Sequence, residues 1–305
     1  MAADRNLRPV SPARVSVIVP VYNGERFLAE TLDSLLLQDY PALEIVVIDD
    51  GSEDGSPRII DSYREEHPGR IVAERQENAG QAAAVNRGVE ICSGEYVSYL
   101  SADDLLLPGA IEALAAALEG EPAAVAAHGP NEMTDAEGHT TDIYDPGRFT
   151  LERCLRIGEP LIAAAPLIRR SAWERAGGWG TDLRLTVDYE FWLRLGLLGP
   201  TVWVEHLTAR YRVHPDSITQ SETRGARERI EALDRFFARD DLPREIRALE
   251  DEAYAVAFIA VGRILGGGSG GGRFEVIDRA TPIHTLRGRL GAEFDAALRD
   301  AAPSG

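Results

Sequence analysis

The chain has 305 residues, 44% of them hydrophobic, enough to bury the core of one large or two modest domains. Its formal net charge is −18, from 50 acidic and 32 basic residues, which disfavours a nucleic-acid or anionic-membrane surface. Every basic residue is Arg, and a chain without Lys has neither a P-loop nor a Schiff-base amine.

Residues 1–14 (MAADRNLRPVSPAR) contain no apolar h-region and read as a polar tail. Val15 to Val19 is β-branched and nearly continuous, as in a strand buried on both faces, and Pro20 to Gly24 is expected to break it. Glu25 to Gln38 places Phe27, Leu28, Leu32, Leu35 and Leu36 at helical spacing. A second buried strand, Glu44 to Ile48, runs into Asp49-Asp50-Gly51-Ser52. A helix is expected over Pro57 to His67, a strand over Arg70 to Glu74, a helix over Gly80 to Cys92 and a strand over Tyr96 to Leu100. Strands alternating with helices indicate a doubly wound, mostly parallel α/β sheet. Such sheets bind ligands at the carboxyl ends of their strands.

Beyond Leu107 the pattern loosens. Helices are expected over Leu107 to Glu119, Ser171 to Ala176 and Val187 to Leu198, with strands at Val125 to His128 and Leu167 to Arg170. Asn131 to Thr141 reads as polar and turn-rich. Helices over Arg224 to Arg239, Leu242 to Leu265 and Gly291 to Ala301 dominate the end of the chain, with a glycine-rich linker at 266–272. The longest apolar run, Ala253 to Val261, is too short to span a bilayer. Cys92 and Cys154 are expected to be buried free thiols, in keeping with a reducing cytoplasm; peripheral attachment at the inner membrane face is left open.

Two features carry chemistry. The turn after the first strand lacks the glycine pattern of a dinucleotide fold, and Asp49-Asp50 has no Lys to complete a phosphoacceptor site. Asp103 and Asp104 stand side by side at the end of an apolar strand, where two like charges repel unless a cation or a hydrogen-bonding ligand shares them.

Four stretches in order, VSVIVPVYNG (from Val15), EIVVIDDGSEDGS (from Glu44), NAGQAAAVNRG (from Asn78) and GEYVSYLSADDL (from Gly94), resemble the family-2 glycosyltransferases of the GT-A fold. The resemblance covers Val15 to Ser221 and implies a domain over 15–221, with a nucleotide-binding half at 15–104 and an acceptor half at 105–221, ahead of a helical region at 222–305. By that resemblance Pro20 shapes the turn, Tyr22 flanks the base, and Glu25 and Asp50 accept from base or ribose. Asn78 and Gln81 open the helix that faces the ligand, and Asp103 holds the ribose. Asp104, with His214 of Tyr211-Arg212-Val213-His214, ligates a divalent metal, Mn²⁺ or Mg²⁺. Val85 stands where the family usually has Arg, and Ser101 where many members have Asp.

The stretch Gly177 to Arg194 resembles the family's acceptor loop and base helix, with Asp188 at the general-base position and Asp182 and Glu190 as fallback carboxylates. The implied activity is inverting transfer of a sugar from a nucleoside-diphosphate-sugar to the hydroxyl of a glycan, polysaccharide or lipid-linked saccharide, by metal-assisted single displacement. A sugar-nucleotide-forming nucleotidyltransferase and a non-catalytic sugar- or nucleotide-binding module are the alternatives.

Overall fold

In a computed structural model that describes residues 12–162, 164–215 and 222–265, the first apolar run forms β1 (Val15–Val21), buried along its whole length. It pairs in parallel with β2 (Leu43–Asp49) on one side and β4 (Tyr96–Tyr99) on the other, and β2 pairs in parallel with β3 (Ile71–Arg75). Strand order therefore reverses between β1 and β4, the switch point at which a doubly wound sheet opens a crevice. Beyond β4 lie β9 (Leu167–Arg169), antiparallel to both its neighbours, then β6 (Ala126–His128) and β10 (Thr201–Trp203).

Both faces of this sheet are covered. Val15, Val17, Val19 and Val21 pack with Leu28, Leu32 and Leu35 of α1 (Leu28–Leu36) and Ile111, Leu114 and Leu118 of α4 (Ala110–Gly120). Each such side chain withdrawn from water contributes about 1.5–3 kcal/mol. Ile18, on the opposite face, meets Gly88 of α3 (Gln81–Ile91), where a Cβ would stand 2.4 Å from Ile18 Cγ2, so the backbones approach too closely for any larger residue. The helix α2 (Ser56–Glu66) lies against β3 and carries Pro57 in its first turn, where a missing N–H costs no helical bond.

Some boundaries differ from the sequence reading. Pro20 lies inside β1, in register with Ile48, and does not shape the turn. Ile18 accepts from the Leu100 N–H at 2.9 Å, so Pro20, two residues on, faces the side where the β4 ladder has ended, and its missing N–H breaks no bond there. The turn instead pivots on Asn23, at φ 52°. Helix α1 begins at Leu28 because the N–H groups of Phe27 and Leu28 both bond the Gly24 carbonyl at 3.0 Å, a turn that leaves Glu25 outside the helix.

The stretch read as turn-rich forms a hairpin of β7 (Asn131–Thr134) and β8 (Thr140–Tyr144). Its outer strand is almost wholly exposed, so it has no apolar alternation to announce it. With β5 (Leu105–Leu106) and β11 (Ala209–Arg212) it makes a second sheet of order β5-β11-β7-β8.

The described residues fall into two compact units, one drawn from 1–148, 162–178 and 198–214, the other from 149–161, 179–197 and 215–305. Both sheets belong to the first, as does α6 (Arg170–Ala176). The second is helical: α5 (Leu151–Ile157), α7 (Val187–Gly196), α8 (Glu222–Phe237), α9 (Arg244–Arg247) and α10 (Glu250–Leu265). Its core sets Phe149 against Trp192 at 5.2 Å, with Phe237 against Tyr254 at 5.9 Å. Cys92 and Cys154 are free and buried. No described helix is long and apolar enough to cross a membrane. The glycine-rich stretch 266–272, the helix expected at 291–301 and residues 1–11 lie outside the described residues.

Candidate active site

Hydrogen bonds between side chains and backbone draw the loops at the carboxyl ends of the first unit's strands together. The Asn23 N–H donates to Ser52 Oγ at 3.0 Å, the Gly24 N–H to Ser56 Oγ at 2.9 Å, and the Glu53 N–H to Asn23 Oδ1 at 2.8 Å. Glu25 accepts the Gly55 N–H at 2.6 Å and is otherwise exposed. Tyr22, at the end of β1, is 54% exposed, an aromatic face kept out of the core.

Asp50 is buried and organises the approach to α3: Oδ1 accepts from Gln76 Nε2 (2.7 Å) and the Ala79 N–H (2.9 Å), and Oδ2 from the Gly80 N–H (2.8 Å). Gly80, at φ 91°, takes a conformation that side chains resist and turns the chain into α3. Asn78 is exposed in this loop and Gln81, first residue of α3, is half-buried. A carboxylate offers about four acceptor sites, so Asp50 retains capacity for a ligand hydroxyl.

The acidic pair is gripped by α1. Thr31 Oγ1 lies 2.9 Å from the carbonyls of both Ala102 and Asp104, Ser34 Oγ accepts the Leu106 N–H at 3.0 Å, and Gln38 Nε2 donates to Leu107 C=O at 2.9 Å. Antiparallel pairing of β5 with β11 then brings in the far end of the unit: Asp104 Oδ1 accepts the Arg212 N–H at 2.9 Å, and His214 Nε2 lies 2.9 Å from Asp103 Oδ2. Asp103 is half-buried and Asp104 only 2% exposed. Burial, with the charge of Asp103 beside it, pushes the Asp104 carboxyl well above the usual carboxylate range, against the smaller opposing pull of Arg212.

Two adjacent carboxylates repel unless a proton or a cation relieves them. Among the described residues no three His, Cys, Asp or Glu side chains form a metal cage by themselves. Two hard carboxylates fit a Mg²⁺- or Mn²⁺-type ion whose other ligands come from a substrate's phosphates.

Arg212 escaped the sequence reading. It is buried, its guanidinium stacks 4.2 Å from the Phe27 ring centroid, and it bonds Glu30 at 2.7 Å. No local pattern marks it, for β11 ends at Arg212 and His214 lies beyond the strand. Thr31, a polar residue within the apolar stripe of α1, was readable.

In the second unit, Asp188 occupies the second position of α7, whose Phe191 and Trp192 are fully buried. The half-buried Asp188 accepts the Tyr189 N–H at 2.7 Å, and desolvation pushes its carboxyl up to about 6, with Arg229 lowering and Glu159 raising it. The two fallback carboxylates are committed elsewhere. Asp182 pairs with Arg235 at 2.5 Å, which holds it below the usual range, and Glu190 is held bidentately by Arg194 at 2.6 and 2.5 Å.

Comparison with known proteins bears on the family and the fold. Residues 16–174 match Glycosyl transferase family 2. An uncharacterized glycosyltransferase of Rickettsia typhi is 31% identical over 226 residues, 72% of this chain and 70% of that protein. Among solved structures, Staphylococcus aureus TarS in complex with UDP-GlcNAc aligns with a TM-score of 0.67 at 20% identity, over 83% of this chain and 74% of that one. A Pyrobaculum calidifontis mannosyltransferase in complex with GDP-Man and Mn²⁺ aligns at 0.60 and 22% identity, over 97% and 83%. The shared fold, the family match and the relative's identity over most of both chains make this protein a member of glycosyltransferase family 2.

Proposed function

We propose that the first unit binds a nucleoside-diphosphate-sugar and that the enzyme transfers its glycosyl group, with inversion, to a saccharide or lipid-linked hydroxyl. The observation that carries this is the buried, charge-raised Asp104 beside Asp103, at the carboxyl ends of strands whose neighbouring loops present Tyr22, Asp50 and Asn78. Two structural relatives are complexes with nucleotide-sugars, UDP-GlcNAc and GDP-Man, and one of them contains Mn²⁺.

In this reading Tyr22 offers its ring to the base, while Glu25 and Asp50 accept hydrogen bonds from base or ribose hydroxyls. Asn78 and Gln81 face the donor from the α3 end, and Asp103 holds the ribose. Asp104, assisted by His214, is the metal-binding group; a bound Mn²⁺ or Mg²⁺ supplies charge neutralisation for the departing diphosphate. Asp188, raised toward neutrality and outside the ion pairs that engage its neighbours, takes the proton from the acceptor hydroxyl. A single base and no second nucleophile make this one displacement, hence inversion.

Calorimetry with UDP and GDP in the presence of Mn²⁺ tests the donor site. Tyr22→Ala and Asp50→Ala should each weaken nucleotide binding and raise the donor KM more than they lower kcat, because both hold a part of the donor that does not react. Unchanged affinity in both variants would mean that the donor lies elsewhere.

A further inference from the structure

The base helix begins without a conventional cap. The first N–H groups of any helix lack intrahelical partners, and Thr186, at the N-cap of α7, makes no side-chain capping bond. A carboxylate from another helix instead binds the N-cap amide and the two amides ahead of it. Glu228 Oε2, from α8, accepts the backbone N–H groups of Arg184 (3.0 Å), Leu185 (2.6 Å) and Thr186 (3.2 Å). Three successive amides converging on one oxygen form an anion nest, and charge-assisted bonds of this kind are stronger than neutral ones. Glu228 is 7% exposed, so water competes little for those bonds.

The same helix holds the segment at a second point, through Arg235 to Asp182 at 3.0 Å. It is itself tied to α10 by the Tyr254 hydroxyl, which donates to Asp234 at 2.6 Å. Residues 184–186 lead directly into Val187 and Asp188, so their path sets the direction in which the Asp188 carboxylate leaves the helix. A base must sit within hydrogen-bond reach of its proton, and a displacement of about 1 Å can cost roughly 10²-fold in rate.

We propose that Glu228 is a positioning residue for catalysis: its carboxylate clamps the 184–186 backbone and so aims Asp188, which makes α8 part of the catalytic machinery although it lies outside the family match at 16–174. This rests on Asp188 being the general base.

The test uses the full chain with Glu228→Gln, Glu228→Asp, Asp188→Asn and the double variant Glu228→Gln/Asp188→Asn. Nucleotide affinity is read by calorimetry with UDP and GDP plus Mn²⁺, turnover as nucleoside diphosphate released from UDP-GlcNAc or GDP-mannose, and local order as amide hydrogen exchange at 184–186. Glu228→Gln should accelerate exchange at these three amides and lower kcat by roughly 10²-fold with nucleotide affinity unchanged. Glu228→Asp, which keeps the charge, should retain part of the rate. The double variant should be no slower than Asp188→Asn, because Glu228 acts only through that base. Wild-type kcat or unchanged exchange in Glu228→Gln overturns the proposal, as does full additivity in the double variant. Unfolding or lost nucleotide affinity in both Glu228 variants overturns it too, by making the residue a stability element. A wild-type rate in Asp188→Asn alone sinks the base assignment, and this inference with it.

Discussion

Replacing Asp188 by Asn should make the enzyme slower and more stable at once, because the property that suits this carboxylate for catalysis costs folding energy. Its ionisation is displaced from 3.8 to about 6, chiefly by burial, in surroundings that include Arg229, Glu159 and Cys154. A raised carboxylate binds protons more tightly in the folded than in the unfolded state, so the stability it contributes falls as pH rises from about 4 through about 6. The full displacement corresponds to about 3 kcal/mol at pH 8, and residual water contact at a half-buried side chain reduces this to about 1–3 kcal/mol. Asn keeps the shape and does not ionise. Thermal unfolding of both proteins between pH 4 and pH 8 should show melting temperatures converging at the acid end and separating by several degrees above pH 6, with the variant higher. On the same preparations kcat should fall by roughly 10²–10⁴-fold, the usual range for a lost general base. The wild-type rate should itself fall as pH drops through about 6. A stability difference independent of pH, or a variant less stable at pH 8, would refute the argument that Asp188 is held ionised against its surroundings.

Asp104→Asn should remove Mn²⁺ affinity and nearly abolish transfer while the fold persists, since a neutral amide is a poor ligand for a hard cation. EDTA should silence the wild type, with Mn²⁺ or Mg²⁺ restoring it; full turnover in chelator would rule out the metal. Gly88→Ala should lower stability by about 1–3 kcal/mol through overpacking, because the new methyl would meet the fully buried Ile18 at 2.4 Å in a central strand. Helix propensity pulls the other way by only about 1 kcal/mol. A denaturant midpoint at or above wild type would show that α3 can shift off β1.

The α/β class of the first unit was legible because its signals are local. Continuous β-branched runs at Val15 to Val19 and Glu44 to Ile48 mean strands covered on both faces, whichever helices cover them. The carboxyl ends were equally plain, since Asp50 follows the second run and Asp103 and Asp104 follow the strand read at Tyr96 to Leu100. Exposed or very short strands escaped detection: β8 has no apolar face, and β5 exists only because it pairs with β11, itself paired with β7, across about a hundred residues of chain. The Asp104 site depends on that pairing, for the N–H it accepts comes from Arg212, a partner that no local pattern identifies. The proposed base shows the division most clearly. Within Gly177 to Arg194 the sequence offers Asp182, Asp188 and Glu190, three carboxylates with similar local credentials. Glu190 meets Arg194 one turn on in its own helix, a local pair, whereas tertiary structure separates the other two by assigning Arg235 to Asp182 and burying Asp188 until its carboxyl rises to about 6. Charge and alternation are properties of the chain, but which charge is neutralised and which is desolvated depends on what the fold packs beside it.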